Sequence, residues 1–262
     1  MSERIGVGIL TYKRPEFFKA CLDSIDKTRV DEIVAINDGD SYGWVPEDVH
    51  FIQHEKNKGI GISKNDAFKH LLEKGCEHIF LIEDDIIVKD NNVFSTYIAA
   101  AKETGLKHMM FGYHGPANKR GQYNKPRYIV EYKQSKIALN EHCVGAFCYY
   151  QKEVLENVGL NDEQFLNAWE HVEHSLRIVK ANYLPAYWWW PDLANSCDYI
   201  GEQACSTENS TIGKRADWGE NIRTGAAYFT QKHGVSPVGI AHESKDTVVS
   251  KLKDIYKKYG NR

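Results

Sequence analysis

The stretch HIFLIEDDI at residues 78–86 joins a run of apolar residues to three adjacent carboxylates. Residues 79–82 predict a buried strand, and Glu83, Asp84 and Asp85 follow at its carboxyl end. Neighbouring carboxylates repel one another, and a divalent cation would remove that repulsion because Mg²⁺ binds one or two carboxylates together with substrate phosphates. We therefore expect a metal–diphosphate site here. An ordinary acidic turn is the alternative, since acidic residues are also common in turns.

Strand and helix patterns alternate on both sides of this stretch over the first 111 residues. They predict strands at 5–10, 32–36, 50–53, 78–82 and 108–111, and helices at 15–25, 62–73 and 93–104. This alternation indicates the α/β class, with a mostly parallel sheet and helices on both faces. Ligands bind such sheets at the carboxyl ends of the strands. Thr11 and Asp38 follow the first two strands, so we expect them to meet the acidic cluster at one edge of the sheet.

The second half of the chain has weaker patterns. It predicts a long loop at 112–127, strands at 128–133 and 143–150, a helix at 167–181, a loop or lid at 192–225 and an amphipathic helix at 247–259. Glu173 and Arg177, four residues apart, are expected to pair on a helix surface. The three tryptophans at 188–190 favour core packing, with stacking on a sugar ring or a base as the alternative. We find no repeat or low-complexity linker, so one domain spanning 1–262 is expected.

The composition narrows the classes of function. The 262 residues are 42% hydrophobic, which is enough for an ample core, and the net charge of −3 gives no basic face for duplex nucleic acid. The sequence shows neither a signal peptide nor the ~20 consecutive apolar residues of a membrane span, so we expect a cytoplasmic protein without a transmembrane segment. The six cysteines lack paired CxxC spacing, which favours reduced, mostly buried thiols over a zinc site.

The order of the short motifs resembles that of glycosyltransferases of the GT-A fold, specifically family-2-like enzymes. The matching segments are TYKRP at 11–15, Asp38-Gly39, NKG at 57–59 followed by SKN at 63–65, EDD at 83–85, GAF at 145–147, GLNDE at 159–163, and a helix that starts WEHVE at 169–173 and ends at Arg177. The EDD triplet is a variant of the Asp-x-Asp metal motif of this family. The resemblance covers about residues 4–182, and the order and spacing of the motifs are more specific than any one of them.

The resemblance implies a fold and an activity. The fold would be a Rossmann-like, mostly parallel sheet with helices on both faces, a small antiparallel portion and a C-terminal docking helix at 246–262. Residues 1–111 would bind the nucleotide sugar, and residues 112–245 would bind the acceptor and carry out catalysis. The activity would be that of a metal-dependent, inverting hexosyl- or N-acetylhexosaminyltransferase that uses a UDP-sugar and Mn²⁺ or Mg²⁺. The acceptor could be a glycan, a protein, a lipid-linked sugar or a modified base.

The resemblance also implies roles for the residues of the donor site. Asp38 would accept the imide N–H of uracil, while Thr11, Tyr12 and Arg14 would line the base and phosphate side. Asn57, Gly59 and Lys64 would lie near a helix N-terminus that favours phosphate, with a solvated lysine as the alternative at position 64. Glu83 would contact the ribose or a metal-bound water, Asp84 would lie nearest the sugar, and Asp85 would ligate the metal.

The catalytic helix contains the main departure from the family pattern. An aspartate normally deprotonates the acceptor hydroxyl, but position 171 is histidine. We expect Glu170 to be the base and His171 the second candidate, because an unperturbed imidazole pKa of ~6.5 suits base catalysis. His171 could instead contact the metal. His242 is the candidate for a C-terminal histidine that completes the metal shell, and His233 is a weaker one.

Two other functions remain open from the sequence. A catalytically inactive module that binds a sugar nucleotide or a glycan is compatible with the histidine at position 171. A nucleotidyltransferase with a similar α/β sheet is also possible, although residues 11–15 do not fit the Gly-rich signature of those enzymes. Metal-dependent hydrolysis of a UDP-sugar would separate an enzyme from a binding module.

Overall fold

The computed structural model describes residues 3–121, 123–203, 211 and 213–261. In this part of the chain the strands are β1 Arg4–Thr11, β2 Glu32–Asn37, β3 His50–Gln53, β4 Cys76–Glu83, β5 Ile86–Val88, β6 His108–Met110, β7 Lys119–Arg120, β8 Tyr123–Asn124, β9 Tyr128–Glu131, β10 Lys136–Asn140, β11 Phe147–Gln151, β12 Trp190–Leu193 and β13 Ile200–Glu202. The helices are α1 Pro15–Asp23, α2 Ile60–Glu73, α3 Val93–Thr104, α4 Lys152–Val158, α5 Glu170–Lys180, α6 Ser196–Tyr199, α7 Trp218–His233 and α8 Lys245–Tyr259.

The central sheet has six strands in the order β3-β2-β1-β4-β11-β6. Strands β3, β2, β1 and β4 run parallel, and β11 is antiparallel to both of its neighbours. The register pairs Thr11 with Asn37 and Leu10 with Glu83, so β1, β2 and β4 end together. The predicted α/β class and mostly parallel sheet are confirmed, with one strand reversed.

The residues of β1 show that both faces of this sheet are covered. Gly6 and Gly8 face α2, because a Cβ at either position would meet side chains of that helix such as Leu71. Val7 and Ile9 point to the opposite face, since successive strand residues alternate, and neither is exposed to solvent. A buried strand of this kind is expected to be apolar almost throughout, as β1 and β4 are.

Three smaller antiparallel sheets extend the domain in the described residues, as expected for a fold with an antiparallel portion. One has the order β12-β10-β9, a second pairs β5 with β13, and a third pairs β7 with β8. Strand β5 begins at Ile86, directly after the acidic cluster. The three residues that follow the carboxylates, Ile86–Val88, are therefore held by pairing with β13 and do not lie in a simple turn.

Several segments differ from the sequence expectations, and the predicted long loop at 112–127 contains β7 and β8. The segment 192–225 is not a continuous loop, because it contains α6, β13 and the start of α7, while residues 204–210 and 212 lie outside the described part. Strand β11 begins at Phe147 rather than at 143. Helix α5 begins at Glu170 rather than at 167. The residue before it, Trp169, has a left-handed backbone conformation with φ of 71°, so the helix cannot extend back through this position.

The C-terminal helix α8 packs as predicted. Val248, Leu252 and Ile255 are buried on one face, and α8 contacts α3. The Ser244 side chain caps the helix by accepting a hydrogen bond from the Thr247 amide at 3.2 Å. The docking role expected for this helix is therefore present in the structure.

The tryptophans at 188–190 have the structural role that the sequence favoured. Trp189 and Trp190 are buried, and the indole of the partly buried Trp188 donates a hydrogen bond to the Ile240 carbonyl at 2.8 Å. The cysteines at 21, 76, 143, 148 and 197 carry free thiols, and Cys205 lies outside the described residues. None of the helices in the described part combines the length and apolar composition needed to cross a bilayer.

Candidate functional site

A cavity opens at the edge of the sheet where β1, β2 and β4 end. We call it the aspartate cavity, and seven of the predicted site residues line it: Thr11, Tyr12, Arg14, Asp38, Asn57, Glu83 and Asp84. It is also lined by Ser63, which belongs to the SKN motif at 63–65, and by Asn167, Thr211 and Arg215, which were not predicted as site residues. These residues thus meet at the carboxyl ends of the parallel strands, which is where sheets of this kind bind ligands.

A second cavity of about 310 Å³ adjoins the first. We call it the tryptophan cavity, because Trp169 and Trp218 line it together with Glu170 and His171. Both cavities include Ile60, Glu83 and Asn167 in their walls. The acidic cluster and the catalytic candidates on α5 thus lie on adjoining sides of one site.

The three carboxylates of the acidic cluster have different surroundings. Arg14 forms ion pairs with Asp84 and, at 3.4 Å, with Asp85 Oδ2. Thr11 Oγ1 donates a hydrogen bond to Asp84 Oδ2 at 2.7 Å. The Asp84 side chain is 0% exposed and that of Asp85 is 9% exposed, while that of Glu83 is 24% exposed. Glu83 is therefore the most exposed of the three carboxylates, although Asp84 also lines the aspartate cavity.

Burial makes the two aspartates hard to ionise. Burial raises the pKa of Asp84 to about 7, although Arg14 and Thr11 act in the opposite direction. Burial and the nearby charge of Glu83 also raise the pKa of Asp85. Asp85 Oδ1 is buried and has no hydrogen-bond partner. A positive charge beside these oxygens would stabilise both carboxylates.

The charge count at the site fits a divalent cation. When ionised, Glu83, Asp84, Asp85 and the neighbouring Glu170 carry four negative charges, which face two positive charges from Arg14 and Lys64. An excess of two negative charges remains, and it falls to one when His114 is protonated. No three His, Cys, Asp or Glu side chains of the described residues are grouped as a complete metal site. A cation here would need further ligands from a bound molecule, as Mg²⁺ commonly does with substrate phosphates.

The two histidines named as metal candidates lie elsewhere. The His242 ring stacks on Trp188 with centroids 4.9 Å apart, and His233 contacts Glu173. Neither histidine is among the described residues that line the two cavities. His114 faces the acidic cluster instead: burial opposes its protonation, but a hydrogen bond to Glu202 and the charges of Asp85 and Glu83 raise its pKa. No sequence motif indicated His114.

Asp38 organises the loop that follows β3. Its Oδ1 accepts a hydrogen bond from the Lys58 amide at 2.7 Å and lies 2.7 Å from His54 Nδ1. Its Oδ2 accepts from the Gly59 amide and the Asn57 side chain, both at 2.9 Å. A carboxylate offers about four acceptor positions. The predicted contact with uracil would therefore require one of these partners to leave.

Lys64 is enclosed between the two cavities. Its ammonium lies 3.0 Å from Glu170 Oε1 and 3.6 Å from Glu83 Oε1. Burial would lower the pKa of Lys64, but the charges of Glu170 and Glu83 raise it above its ordinary value. Gly145 makes room for this arrangement, because a Cβ there would lie 2.8 Å from Lys64 Nζ and 3.1 Å from His171 Cγ. The lysine therefore supports Glu170 from inside the protein.

Glu170 and His171 form a hydrogen-bonded pair at the start of α5. His171 Nδ1 lies 2.9 Å from Glu170 Oε1. Burial would raise the pKa of Glu170, but the charges and hydrogen bonds of Lys64 and His171 hold it well below its usual range. An ionised carboxylate only accepts hydrogen bonds, so Nδ1 of His171 donates. In the neutral imidazole the proton acceptor is then Nε2.

The motifs at 63–65 and 159–163 bind to each other across the site. The Asn65 side chain donates to the Asn161 carbonyl at 3.0 Å and accepts from the Asn161 amide at 2.9 Å. The Ile60 amide donates to the Leu166 carbonyl at 2.9 Å. These bonds fix the start of α2 against the loop that leads to α5.

Helix α7 covers α5 and completes the tryptophan cavity. Glu173 pairs with Arg177 as predicted, but Glu173 is buried rather than on the helix surface. The cause is α7, which brings Lys232 to 2.9 Å and His233 to 3.1 Å from Glu173 Oε1. The Trp169 indole donates to the Ile222 carbonyl at 3.0 Å. The contacts of α7 with Glu173 and with Trp169 thus hold this helix in place.

Comparisons with known proteins agree with this arrangement. The sequence model of glycosyl transferase family 2 matches residues 7–159. An uncharacterized glycosyltransferase of Acanthamoeba polyphaga mimivirus is 26% identical over 231 residues, covering 80% of this chain and 85% of the viral protein.

Solved glycosyltransferase structures share the fold. S. aureus TarS in complex with UDP matches with a TM-score of 0.51 and 14% identity, over 96% of this chain and 70% of that chain. The Pyrobaculum calidifontis mannosyltransferase PcManGT, in complex with GDP-Man and Mn²⁺, matches with a TM-score of 0.52 and 12% identity, over 98% and 70%. The expected GT-A fold is confirmed.

Proposed function

This chain belongs to glycosyl transferase family 2, and we propose that it is a metal-dependent, inverting enzyme that transfers a sugar from a UDP-sugar to an acceptor hydroxyl. One observation carries this proposal: the aspartate cavity and the tryptophan cavity meet at Glu83, and Glu170 and His171 line the tryptophan cavity. A donor in the first cavity would present its anomeric carbon to an acceptor in the second.

The aspartate cavity is proposed to hold the nucleotide. Tyr12 and Asp38 would bind the base, and Arg215 would add a cation that approaches from the segment before α7. Arg215 Nη1 donates to Asn57 at 3.1 Å, so the guanidinium already lies beside the loop that Asp38 organises. TarS has been crystallised with UDP and with UDP-GlcNAc, which supports a UDP-sugar, whereas PcManGT was crystallised with GDP-Man.

His171 is proposed to be the base, with Glu170 as the residue that orients it. Glu170 is ionised, buried and held by Lys64, so it is a weak proton acceptor. His171 is 25% exposed and lines the tryptophan cavity. Its Nε2 would take the proton of the acceptor hydroxyl as that oxygen attacks the anomeric carbon from the side opposite the diphosphate. The sequence favoured Glu170 as the base and His171 as the second candidate, so this proposal reverses their order.

The acidic cluster is proposed to hold Mn²⁺ or Mg²⁺. Asp85, whose Oδ1 has no hydrogen-bond partner, is the proposed direct ligand, and Glu83 would support it. A divalent cation at this position would neutralise the diphosphate leaving group. Arg14 holds Asp84 and Asp85 in place and balances part of their charge.

The decisive experiment measures release of UDP from UDP-sugars with and without Mn²⁺ in the absence of an acceptor. We expect slow hydrolysis that requires the metal and is lost in Asp85→Ala. Asp40→Ala, at an exposed aspartate two residues beyond Asp38, is the matched control and should retain it. If calorimetry detects no metal-dependent binding of UDP to the wild-type protein, the proposal is wrong.

His171→Ala tests the base separately. General base catalysis contributes typically 10²–10⁴-fold, so kcat for transfer should fall by about that factor while UDP binding is retained. His142→Gln, which changes an exposed histidine, is the control. A variant with wild-type kcat would exclude His171 as the base.

A further inference from the structure

His54 is a buried histidine behind the aspartate cavity that was not predicted as a site residue. It directly follows β3, and its amide donates a hydrogen bond to the Asn37 carbonyl at 2.9 Å. Its imidazole is 2% exposed and lies between two carboxylates. Nδ1 is 2.7 Å from Asp38 Oδ1, and Nε2 is 3.0 Å from Asp66 Oδ2. The ring therefore connects Asp38, at the end of β2, to helix α2.

Four donors surround the Asp38 carboxylate, and His54 differs from the others in having a second carboxylate partner. The other three donors all belong to residues 57–59. A carboxylate only accepts hydrogen bonds, so Nδ1 of His54 donates to Asp38. On its other side the ring is held by Asp66 on α2, whose Oδ1 lies 3.6 Å from Lys69 Nζ. His54 can therefore keep its contact with Asp38 when a partner from residues 57–59 leaves.

From these contacts we propose that His54 is a positioning residue for the donor nucleotide. It holds Asp38 in the orientation that receives the base, and Asp66 fixes the ring from the other side. The inference rests on the proposed function, because it takes Asp38 as a residue that binds the base. Neither His54 nor Asp66 is among the described residues that line the two cavities, so His54 acts through Asp38 and does not touch the ligand.

Preorganisation is the physical reason why this contact should affect affinity. One hydrogen-bond partner of Asp38 must leave when the base binds, and a carboxylate with fewer partners is free to rotate. Ordering a free side chain on binding lowers affinity by about twofold to tenfold. The Asp38 side chain is 7% exposed, so it has no bulk water to replace the ring as a donor. A buried histidine held on both sides avoids this loss.

The competing explanation is that His54 only stabilises the fold, and His70 provides the matched control for that role. His70 lies on α2, is 9% exposed and has its Nε2 2.8 Å from Glu32 Oε1. Its ring stacks on that of His50 with centroids 4.0 Å apart. His70 is not among the described residues that line the two cavities. It thus has a histidine–carboxylate contact of the same kind without a link to Asp38.

The test measures the binding of UDP with Mn²⁺ by calorimetry to the 262-residue chain and its variants. His54→Ala should weaken binding by about tenfold. His54→Asn should recover most of that loss, because the amide N–H of asparagine can take the place of Nδ1–H and donate to Asp38. His54→Gln should not recover it, because the longer side chain places its amide near the position of Nε2, beside Asp66. His70→Ala should leave the affinity for UDP unchanged.

Urea denaturation of the same variants separates a positioning role from a structural one. We expect His54→Ala and His70→Ala to lower the free energy of unfolding to a similar extent, while only His54→Ala weakens UDP binding. Wild-type UDP affinity in His54→Ala would overturn the positioning role and leave the donor site standing. An asparagine variant that binds no better than the glutamine variant would overturn it too, and this comparison decides the matter where His54→Ala does not fold. If the wild-type protein binds no UDP with metal, the proposed function itself is wrong.

Discussion

At the scale of single residues, the pair Lys64–Glu170 has the strongest consequence. Both side chains are 3% exposed, so each is a buried charge that depends on the other. Removing one partner of a buried ion pair commonly costs about 3–5 kcal/mol, whereas replacing both with apolar residues is often neutral. The pair therefore stabilises the domain only as a unit, and it holds Glu170 against His171.

We predict that Lys64→Met lowers the free energy of unfolding by about 3 kcal/mol or more, measured by urea denaturation. The double variant Lys64→Met/Glu170→Met should recover much of that loss, because neither member of the buried pair is then left as an unpaired charge. Glu83, whose side chain is 24% exposed, loses its contact with Lys64 in both variants. Lys19→Met breaks an exposed pair with Asp23 and should leave the free energy of unfolding nearly unchanged. If the variants at 64 and 19 cost the same, Glu170 is not constrained in the way we infer.

A second residue-scale prediction concerns acid stability. Burial lowers the pKa of His108 to about 4, so its ring is neutral in the folded protein, where Nδ1 lies 2.8 Å from the Tyr149 carbonyl oxygen. An unfolded histidine has a pKa near ~6.5, so between pH 6.5 and 4 the unfolded state binds more protons. The stability from this group is complete above pH 6.5 and decreases as the pH falls towards 4.

The contribution of His108 to the free energy of unfolding should decrease by about 2 kcal/mol between pH 7.5 and pH 5. His108→Phe retains an aromatic ring beside Tyr150, 4.2 Å away, and should reduce the pH dependence of urea unfolding by that amount. His142→Gln removes an exposed histidine and should leave the slope unchanged. A slope that is the same in His108→Phe and wild type would contradict this prediction.

At the scale of elements, the parallel strands were predictable and helix α7 was not. Strands β1, β2 and β4 are apolar runs that end in polar residues, so their order alone brought Thr11, Asp38 and Glu83 to one edge. Among the described residues of α7, Phe229 is the only one that is buried as a whole, and the helix contains two glycines. Such a helix has no apolar stripe for a sequence pattern to reveal.

The same limit applies to side chains whose partners come from distant elements. Arg14 reaches Asp84 and Asp85 across the end of β4, and Trp218 reaches the site only because α7 packs on α5 through Glu173. Neither contact follows from local spacing. The sequence therefore predicted which residues gather at the edge of the central sheet, and it missed the α7 side of the tryptophan cavity.

The start of α2 gives the element-scale prediction. Gly59 has φ of +97°, and a Cβ there would lie 2.3 Å from the Leu166 carbonyl oxygen, which accepts the Ile60 hydrogen bond. Gly59→Ala must therefore separate α2 from the loop before α5, in addition to straining the backbone. Gly75 has φ of +73° with nothing within 4 Å, so Gly75→Ala carries the backbone strain without the clash.

We expect Gly75→Ala to cost about 1–2 kcal/mol in urea unfolding with normal binding of UDP. Gly59→Ala should cost more and should weaken UDP binding in calorimetry, because the loop at 57–59 carries the amides that hold Asp38. Equal effects of the two substitutions on UDP affinity would show that contact between α2 and Leu166 does not shape the site.

At the scale of the whole molecule, the site joins elements that are far apart in sequence. Its walls include the end of β1, the end of β4, the starts of α2 and α5, and α7, so it exists only when the central sheet and the second half of the chain are packed together. A ligand that binds only the folded state stabilises the whole domain by RT ln(1 + [L]/Kd). Thermal stability is therefore a direct measure of donor recognition.

We predict that UDP together with Mn²⁺ raises Tm by about 5–10 °C at a ligand concentration 100 times Kd. This follows from ~2.7 kcal/mol of linked stabilisation and a change of ~2–4 °C per kcal/mol for a chain of this size. Chelation of the metal with EDTA should remove most of the shift, because buried Asp85 would again lack a cation beside its unpaired Oδ1. Asp85→Asn should lose the metal-dependent part in the same way, while Asp40→Asn should behave as wild type. If GDP with Mn²⁺ gives the larger shift, the donor base is guanine and the uracil assignment is wrong. If no nucleotide shifts Tm with metal present, the aspartate cavity is not a donor site.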